Sequence, residues 1–170
     1  MLNQLTKMLD ESKLPPLKGD EVTFIGSTFI KYGDTDPYTQ NCIVVNTSDD
    51  ISGVDIESYP TEKQALLAWT ELIKREDPDI IIGYNIFGFD WKFILDRCRE
   101  LGCKTQFLEK ISKNTEKPAM IKKMTTTLAS GTHELEYVKM YGRVQLDLLN
   151  HFRREENLPS YKLDYVSSYF

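Results

Sequence analysis

The hydrophobic pattern changes period several times along the 170 residues, and each change marks an element. Leu2, Leu5 and Leu9 recur at helical spacing ahead of Pro15-Pro16, which predicts a short amphipathic helix over 1–14 that the prolines break. Beyond Gly19-Asp20 the pattern alternates. Val22, Phe24 and Gly26 oppose Thr23 and Ile25, and the run continues to Phe29-Ile30, predicting a strand. Turn residues Gly33-Asp34-Thr35-Asp36-Pro37 separate it from Asn41-Cys42-Ile43-Val44-Val45, so the two make a hairpin. A short third strand is predicted over 54–59.

Helical periodicity follows. Thr61-Glu62-Lys63-Gln64 has the T-x-x-Q form of a capping box, and Ala65, Leu66, Trp69, Leu72 and Ile73 trace one face behind it. Asp77-Pro78 ends that helix. Asp79-Ile80-Ile81-Ile82-Gly83-Tyr84-Asn85 is a continuous β-branched run between turn residues and reads as a buried strand. A helix over 91–101 carries Phe93, Ile94, Arg97, Cys98 and Leu101 at core-compatible spacing, with Gly102 at its C′ position. The lysine-rich stretch 103–120 is assigned to loop. Residues 124–128 and 135–138 read as a hairpin around Ala129-Ser130-Gly131-Thr132. Gly142-Arg143-Val144-Gln145-Leu146-Asp147 is a short strand entering a helix through Phe152, and a last amphipathic stretch follows Pro159-Ser160. Strands first, then helix, buried strand and helix, predict the α/β class: a mixed sheet flanked by helices.

Composition narrows the function. Hydrophobic residues make up 41% and charged residues 28%, which is globular rather than disordered. Twenty-one basic against 26 acidic side chains give a net charge of −5, so nucleic acid would have to be met locally and with metal assistance, not by a basic coat. Cys42, Cys98 and Cys103 lack C-x-x-C spacing, which points to a reducing intracellular compartment and away from a disulfide framework or zinc knuckle. No run of 18 apolar residues occurs, and the expectation is no membrane association.

The chemistry concentrates in Gly83-Tyr84-Asn85-Ile86-Phe87-Gly88-Phe89-Asp90. A strand ends, the chain turns, and an acid stands at the mouth of the next helix, where open α/β sheets collect ligands. From spacing alone Asp90 has two readings: a helix N-cap, or a hard-cation ligand beside rings that stack on a base.

Asp-Pro-Asp-Ile-Ile-Ile-Gly-Tyr-Asn-Ile-x-x-Phe-Asp, followed by a helix with Arg97, resembles the second exonuclease motif of family B DNA polymerases. So do its surroundings: Ser58-Tyr59-Pro60-Thr61-Glu62 and Leu66-Leu67-Ala68-Trp69 before it, Gly142-Arg143-Val144-Gln145-Leu146-Asp147 after it, and Ser160-Tyr161-Lys162-Leu163-Asp164 near the end. The resemblance runs from Lys18 onward and has the flavour of delta-type replicative polymerases of eukaryotes and large DNA viruses. It implies a ribonuclease-H-like fold, with residues 1–17 an N-terminal extension and 18–170 a partial 3′→5′ exonuclease domain, truncated at both ends. It implies two Mg²⁺ or Mn²⁺ ions, DNA with a single-stranded 3′ end as substrate, and as partners the other domains of a parent polymerase and a sliding clamp reached through that parent. The setting would be the nucleus or a viral replication compartment. Asp90 carries over as the catalytic metal ligand, and Tyr84, Asn85 and Phe89 as residues lining the DNA groove.

The family's other carboxylates are an Asp-x-Glu pair on its first strand and the Asp of a later Tyr-x-x-x-Asp motif. Asp55-Ile56-Glu57 has the first form but lies 35 positions before Asp90 without a long apolar strand leading into it, so it reads as a solvent-facing strand. Tyr161-Lys162-Leu163-Asp164 is one residue short, which on a helix turns the acid by about 100°. With one carboxylate of four, the chain alone is expected to be inactive. Two rival readings are a non-catalytic scaffold and a free-standing nuclease using Asp55, Glu57 and Asp90. His133 in a turn, His151, a core Cys98, a loop thiol Cys103 and the lysines at 110, 113, 117, 122 and 123 read as structural or surface residues, and Asp147 as an N-cap, with a supporting role behind a metal ligand as its alternative.

Overall fold

A computed structural model describes residues 19–114, 116–128 and 131–170, with the backbone alone for 126–128 and 131–134. The helix expected over 1–14 and the extension 1–17 lie outside the described residues. Strands β1 (Phe24–Phe29), β2 (Thr39–Val45) and β3 (Asp55–Tyr59) come first, then helix α1 (Glu62–Glu76) and strand β4 (Ile80–Gly83). Helices α2 (Asp90–Glu100) and α3 (Lys104–Ile111) precede the ribbon β5 (Met120–Leu128) and β6 (Gly131–Lys139). Strand β7 (Val144–Asp147) leads into α4 (Leu148–Glu155), and α5 (Leu163–Tyr169) closes the chain.

The sheet is divided. β1 and β2 pair antiparallel, β3 adds parallel to β2, β4 pairs parallel with β7 alone, and β5 with β6 forms the separate antiparallel ribbon. Among the described residues, then, β1 and β4 each have one unpaired edge. The helices bridge the two parts. Leu66 and Leu72 of α1, Leu95 of α2, and Phe107 and Ile111 of α3 are fully buried with Ile43 of β2 and Val138 of β6 in one core. Trp69 stands at its centre, 6.0 Å from the Trp91 ring and 6.1 Å from Phe107, and its Nε1 donates to Ser27 Oγ at 3.0 Å. Burial of each large aliphatic or aromatic side chain in this core contributes about 1.5–3 kcal/mol.

Local chemistry explains the element borders. Thr61 is the N-cap of α1 and accepts the Gln64 amide at 3.3 Å, while its hydroxyl donates to the Gln64 side chain at 2.9 Å. The reciprocal arm of the expected box thus runs between side chains. Thr61→Ala is expected to cost about 1 kcal/mol, read as faster hydrogen exchange confined to the first turn of α1. At the other end Asp77 takes a left-handed conformation (φ 46°), and its carboxylate meets Arg143 at 3.0 Å and Lys113 at 3.2 Å. Arg143 is buried and donates to the Ile73 and Ile111 carbonyls at 3.3 and 3.4 Å, so one guanidinium serves the C-terminal ends of α1 and α3. Gly102 occupies the left-handed position after α2, as its place in the sequence predicts.

Several expectations are corrected. Residues 104–111 form a helix, not a loop: Phe107 and Ile111 fall four apart and both are fully buried. Cys103 is a buried residue at the N-cap position of that helix rather than a loop thiol, and His133 lies in β6 rather than in a turn. β4 is a strand, but it is neither interior nor buried on both faces. Ile81 packs towards the core, whereas Ile80 and Ile82 are exposed beside Val144 and Leu146 of β7. The apolar run encodes cover on both faces, and the described residues supply it on one.

Candidate functional site

β4 and β7 run parallel in a register that pairs Gly83 with Asp147, so both strands end at one border of the sheet. The segment 84–89 leaves this border and delivers Asp90 to the first position of α2. Asn85 adopts a left-handed backbone (φ 63°), a conformation Asn tolerates better than most residues. Its carbonyl accepts the amides of Gly88 and Phe89, both at 3.0 Å, and the Ile86 carbonyl accepts the Trp91 amide at 3.1 Å. Two glycines make the turn fit. A Cβ on Gly83 would fall on an Ile86 methyl, and one on Gly88 on the Asn85 side-chain oxygen.

Asp90 is not the helix cap. Phe89 occupies the N-cap position and, among the described residues, no side chain caps this helix, which removes the capping reading of Asp90. Asp90 instead lines two adjoining cavities. The larger, about 560 Å³, lies between the open edge of β1 (25–29) and that of β4 (80–83), with Trp69, Ile73 and Ile94 among its walls. The smaller, about 380 Å³, is lined by Phe89, Phe93 and residues 21–26. Crowding by these walls pushes the Asp90 carboxyl above its usual range, against the pull of its own amide, and the charge of Asp147 adds in the same direction. Among the described residues the buried Trp91 Nε1, on the wall of the larger cavity, finds no hydrogen-bond partner.

The other predicted site residues divide. Phe89 is 47% exposed and stacks on Phe93, with centroids 5.6 Å apart and planes 14° apart, so an aromatic face stands beside Asp90. Tyr84 lines the larger cavity, and its hydroxyl donates to the Tyr161 carbonyl, which ties this border to the segment before α5. Leu163 of α5 lines the same cavity. Asn85 serves the turn itself. Asp55 and Glu57 are elsewhere: they belong to β3, which is separated from β1 by β2. Asp55 is exposed, as expected of a solvent-facing strand, while Glu57 is half-buried and takes Asn41 Nδ2 at 2.8 Å, the Tyr59 hydroxyl at 2.9 Å and Arg75 at 3.4 Å. Burial raises its carboxyl, and these hydrogen bonds outweigh that and hold it below the usual range.

Lys110, Lys113 and Lys123 meet acids. Lys110 meets Glu71 at 2.6 Å and Lys113 meets Asp79 at 2.6 Å, so neither is set out for phosphate. Burial, with Cys103 beside it, pushes the Cys98 thiol up and leaves it unreactive. Sequence reasoning left a supporting role for Asp147 open beside the cap but could not name its partners. It caps α4 as expected, accepting the Leu149 amide at 3.0 Å, but it also accepts the amides of Asn85 at 2.8 Å and Phe87 at 3.0 Å. Asp90 offers a hard oxygen donor of the kind Mg²⁺ or Mn²⁺ prefers. Among the described residues, however, no group of three His, Cys, Asp or Glu side chains could hold an ion. The site fits a divalent ion in donor type and falls short in donor number.

Comparison with known proteins gives this border its context. The model of the family "DNA polymerase family B, exonuclease domain" matches residues 6–166. The DNA polymerase of Pyramimonas orientalis virus is 46% identical over all of this chain, which spans 14% of that protein. That of Phaeocystis pouchetii virus is 42% identical over 92% of the chain and 17% of its own length. The DNA polymerase delta catalytic subunit of Candida albicans is 36% identical over 92% of the chain and 15% of its own length. The chain thus spans only about a sixth or less of these relatives. With a matching family over nearly its full length and a mixed α/β architecture of the ribonuclease-H-like kind, the chain belongs to the exonuclease domain family of the family B DNA polymerases.

Proposed function

We propose that this chain is part of a longer replicative DNA polymerase and supplies one wall and one metal-binding carboxylate of its proofreading 3′→5′ exonuclease. The observation that carries the reading is Asp90 at the start of α2, lining two adjoining cavities beside the β4–β7 border, with exposed Phe89 stacked on Phe93 next to it. A single-stranded 3′ end would lie along this border, its terminal bases against Phe89, with Tyr84 and Asn85 shaping the groove. Two divalent ions, when bound, supply an activated water and neutralise the leaving oxygen. The remaining ligands would come from outside the described residues.

The gap between β1 and β4 supports such a completion. Two open strand edges, an apolar floor and the unpartnered Trp91 Nε1 would accept one further strand. The resemblance expects an upstream strand carrying an Asp-x-Glu pair, and a strand in this gap would stand beside Asp90. The parent would also synthesise DNA and use a sliding clamp.

A 5′-labelled oligonucleotide with a mismatched 3′ end tests the proposal. The longer polymerase is expected to shorten it in Mg²⁺, to stop when EDTA removes the metal, and to resume when Mg²⁺ is restored. The 170-residue chain alone is expected to leave it intact under all three conditions. Failure of the longer protein to shorten DNA in Mg²⁺ would favour the scaffold reading, and cleavage by the chain alone would refute the need for further ligands.

A further inference from the structure

We propose that Asp147 is the positioning residue of the site: it pins segment 84–89 to the end of β7 and so fixes where Asp90 stands. The inference rests on the reading of Asp90 as a metal ligand.

Asp147 is 3% exposed, and no ion pair neutralises it among the described residues. Three backbone amides satisfy it instead. Oδ1 accepts those of Asn85 (2.8 Å) and Leu149 (3.0 Å), and Oδ2 accepts that of Phe87 (3.0 Å). The Leu149 contact is an ordinary N-cap bond and would need only a small polar side chain. The other two reach across the sheet border to a segment about 60 residues earlier in the chain. They hold its two inward amides while the Asn85 and Ile86 carbonyls close the turn on itself. With both carboxylate oxygens committed, the segment has one seat, and Asp90 follows from that seat by three residues. Groups that orient a metal ligand without touching the metal are worth about 10- to 100-fold in metal affinity or activity when lost.

Two substitutions separate positioning from plain structure, tested in the longer polymerase. Asp147→Asn keeps volume and one oxygen, so the Asn85 and Leu149 amides stay paired while an NH₂ group faces the Phe87 amide. Asp147→Ser keeps only the cap. Both are expected to lower 3′→5′ shortening of single-stranded DNA by about 10- to 100-fold and to raise the Mg²⁺ concentration needed for half the maximal rate. Hydrogen exchange should quicken over 84–89 while 149–155 stays protected. In the unsubstituted protein the Asn85 and Phe87 amides should already exchange far more slowly than other loop amides. Unchanged rate and Mg²⁺ dependence in Asp147→Asn would overturn the proposal. So would exchange that quickens equally over 84–89 and 149–155, or fast exchange at Asn85 and Phe87 before any substitution. If Asp90→Ala itself leaves shortening intact, the underlying reading of Asp90 fails instead, which is a separate result.

Discussion

Exchanging Asp90 for alanine in the longer polymerase is expected to cut 3′→5′ shortening by more than the roughly 100-fold that marks the upper range for loss of a ligand's outer partner, with primed-template synthesis by the same preparation unchanged. The carboxylate is the one anionic oxygen that segment 84–90 presents to the cavities, and Trp91, Ile94 and Ile25 around it cannot replace a hard donor. Asp90→Asn, which keeps shape but loses charge, should fall nearly as far. Crowding already disfavours the ionised form of Asp90 in the folded protein, so removing the charge relieves a cost rather than a support. Normal shortening of single-stranded DNA by Asp90→Ala would remove the exonuclease reading at its root.

Arg97→Ala carries the largest expected loss of stability, about 3–5 kcal/mol for breaking a buried ion pair. Arg97 and Glu62 are 6% and 4% exposed at their side chains, and Arg97 donates to both oxygens of Glu62, at 2.7 and 2.6 Å. Glu62 in turn accepts the Val22 amide at 2.9 Å, so the pair joins α1, α2 and the approach to β1. Alanine would leave a buried carboxylate with one amide for company. Burial alone would push the Glu62 carboxyl up, but the Arg97 hydrogen bonds, the Val22 amide and the Arg97 charge hold it below its usual range. A depressed acid stabilises the fold above its unfolded value, about 4.3, and that support is lost as pH falls through the lower folded value. The gap between the two proteins should therefore be full at neutral pH, begin to shrink as pH falls through the raised Glu62 value of the variant, and shrink further down to the depressed value of the unsubstituted protein. Hydrogen exchange over 62–76 and 90–100 reads it as a 100-fold or greater acceleration, at 1.4 kcal/mol per factor of ten. The double change Arg97→Met with Glu62→Leu should recover most of the loss, because an apolar pair leaves no stranded charge. If Arg97→Ala exchanges at the original rate, the pair is decoration.

What the sequence disclosed follows from how local each signal is. The Thr61 cap, the β1–β2 hairpin, the stop at Asp77-Pro78 and the Gly102 terminus need only near neighbours, and each stands where its residues place it. The motif ending in Asp90 also reads correctly as strand, turn and helix. α3 was hidden because lysines at 104 and 110 obscure the four-residue spacing of Phe107 and Ile111. The split of the sheet was not legible either. An apolar run such as Ile80-Ile81-Ile82 reports that both faces meet protein but not whether this stretch of chain provides it. Asp147 shows the limit most clearly. Its cap bond spans two residues and could be foreseen, whereas its bonds to Asn85 and Phe87 span about sixty and depend on β4 and β7 ending side by side.

The unpaired edges of β1 and β4 have a bearing on handling as well as on chemistry. A row of idle backbone donors and acceptors next to exposed Ile80, Ile82 and Val144 is a template for intermolecular pairing, and natural proteins shield such borders against aggregation. On the proposed reading, a strand seated in that gap would cover these idle groups, so resistance to aggregation and completion of the metal site would arrive together.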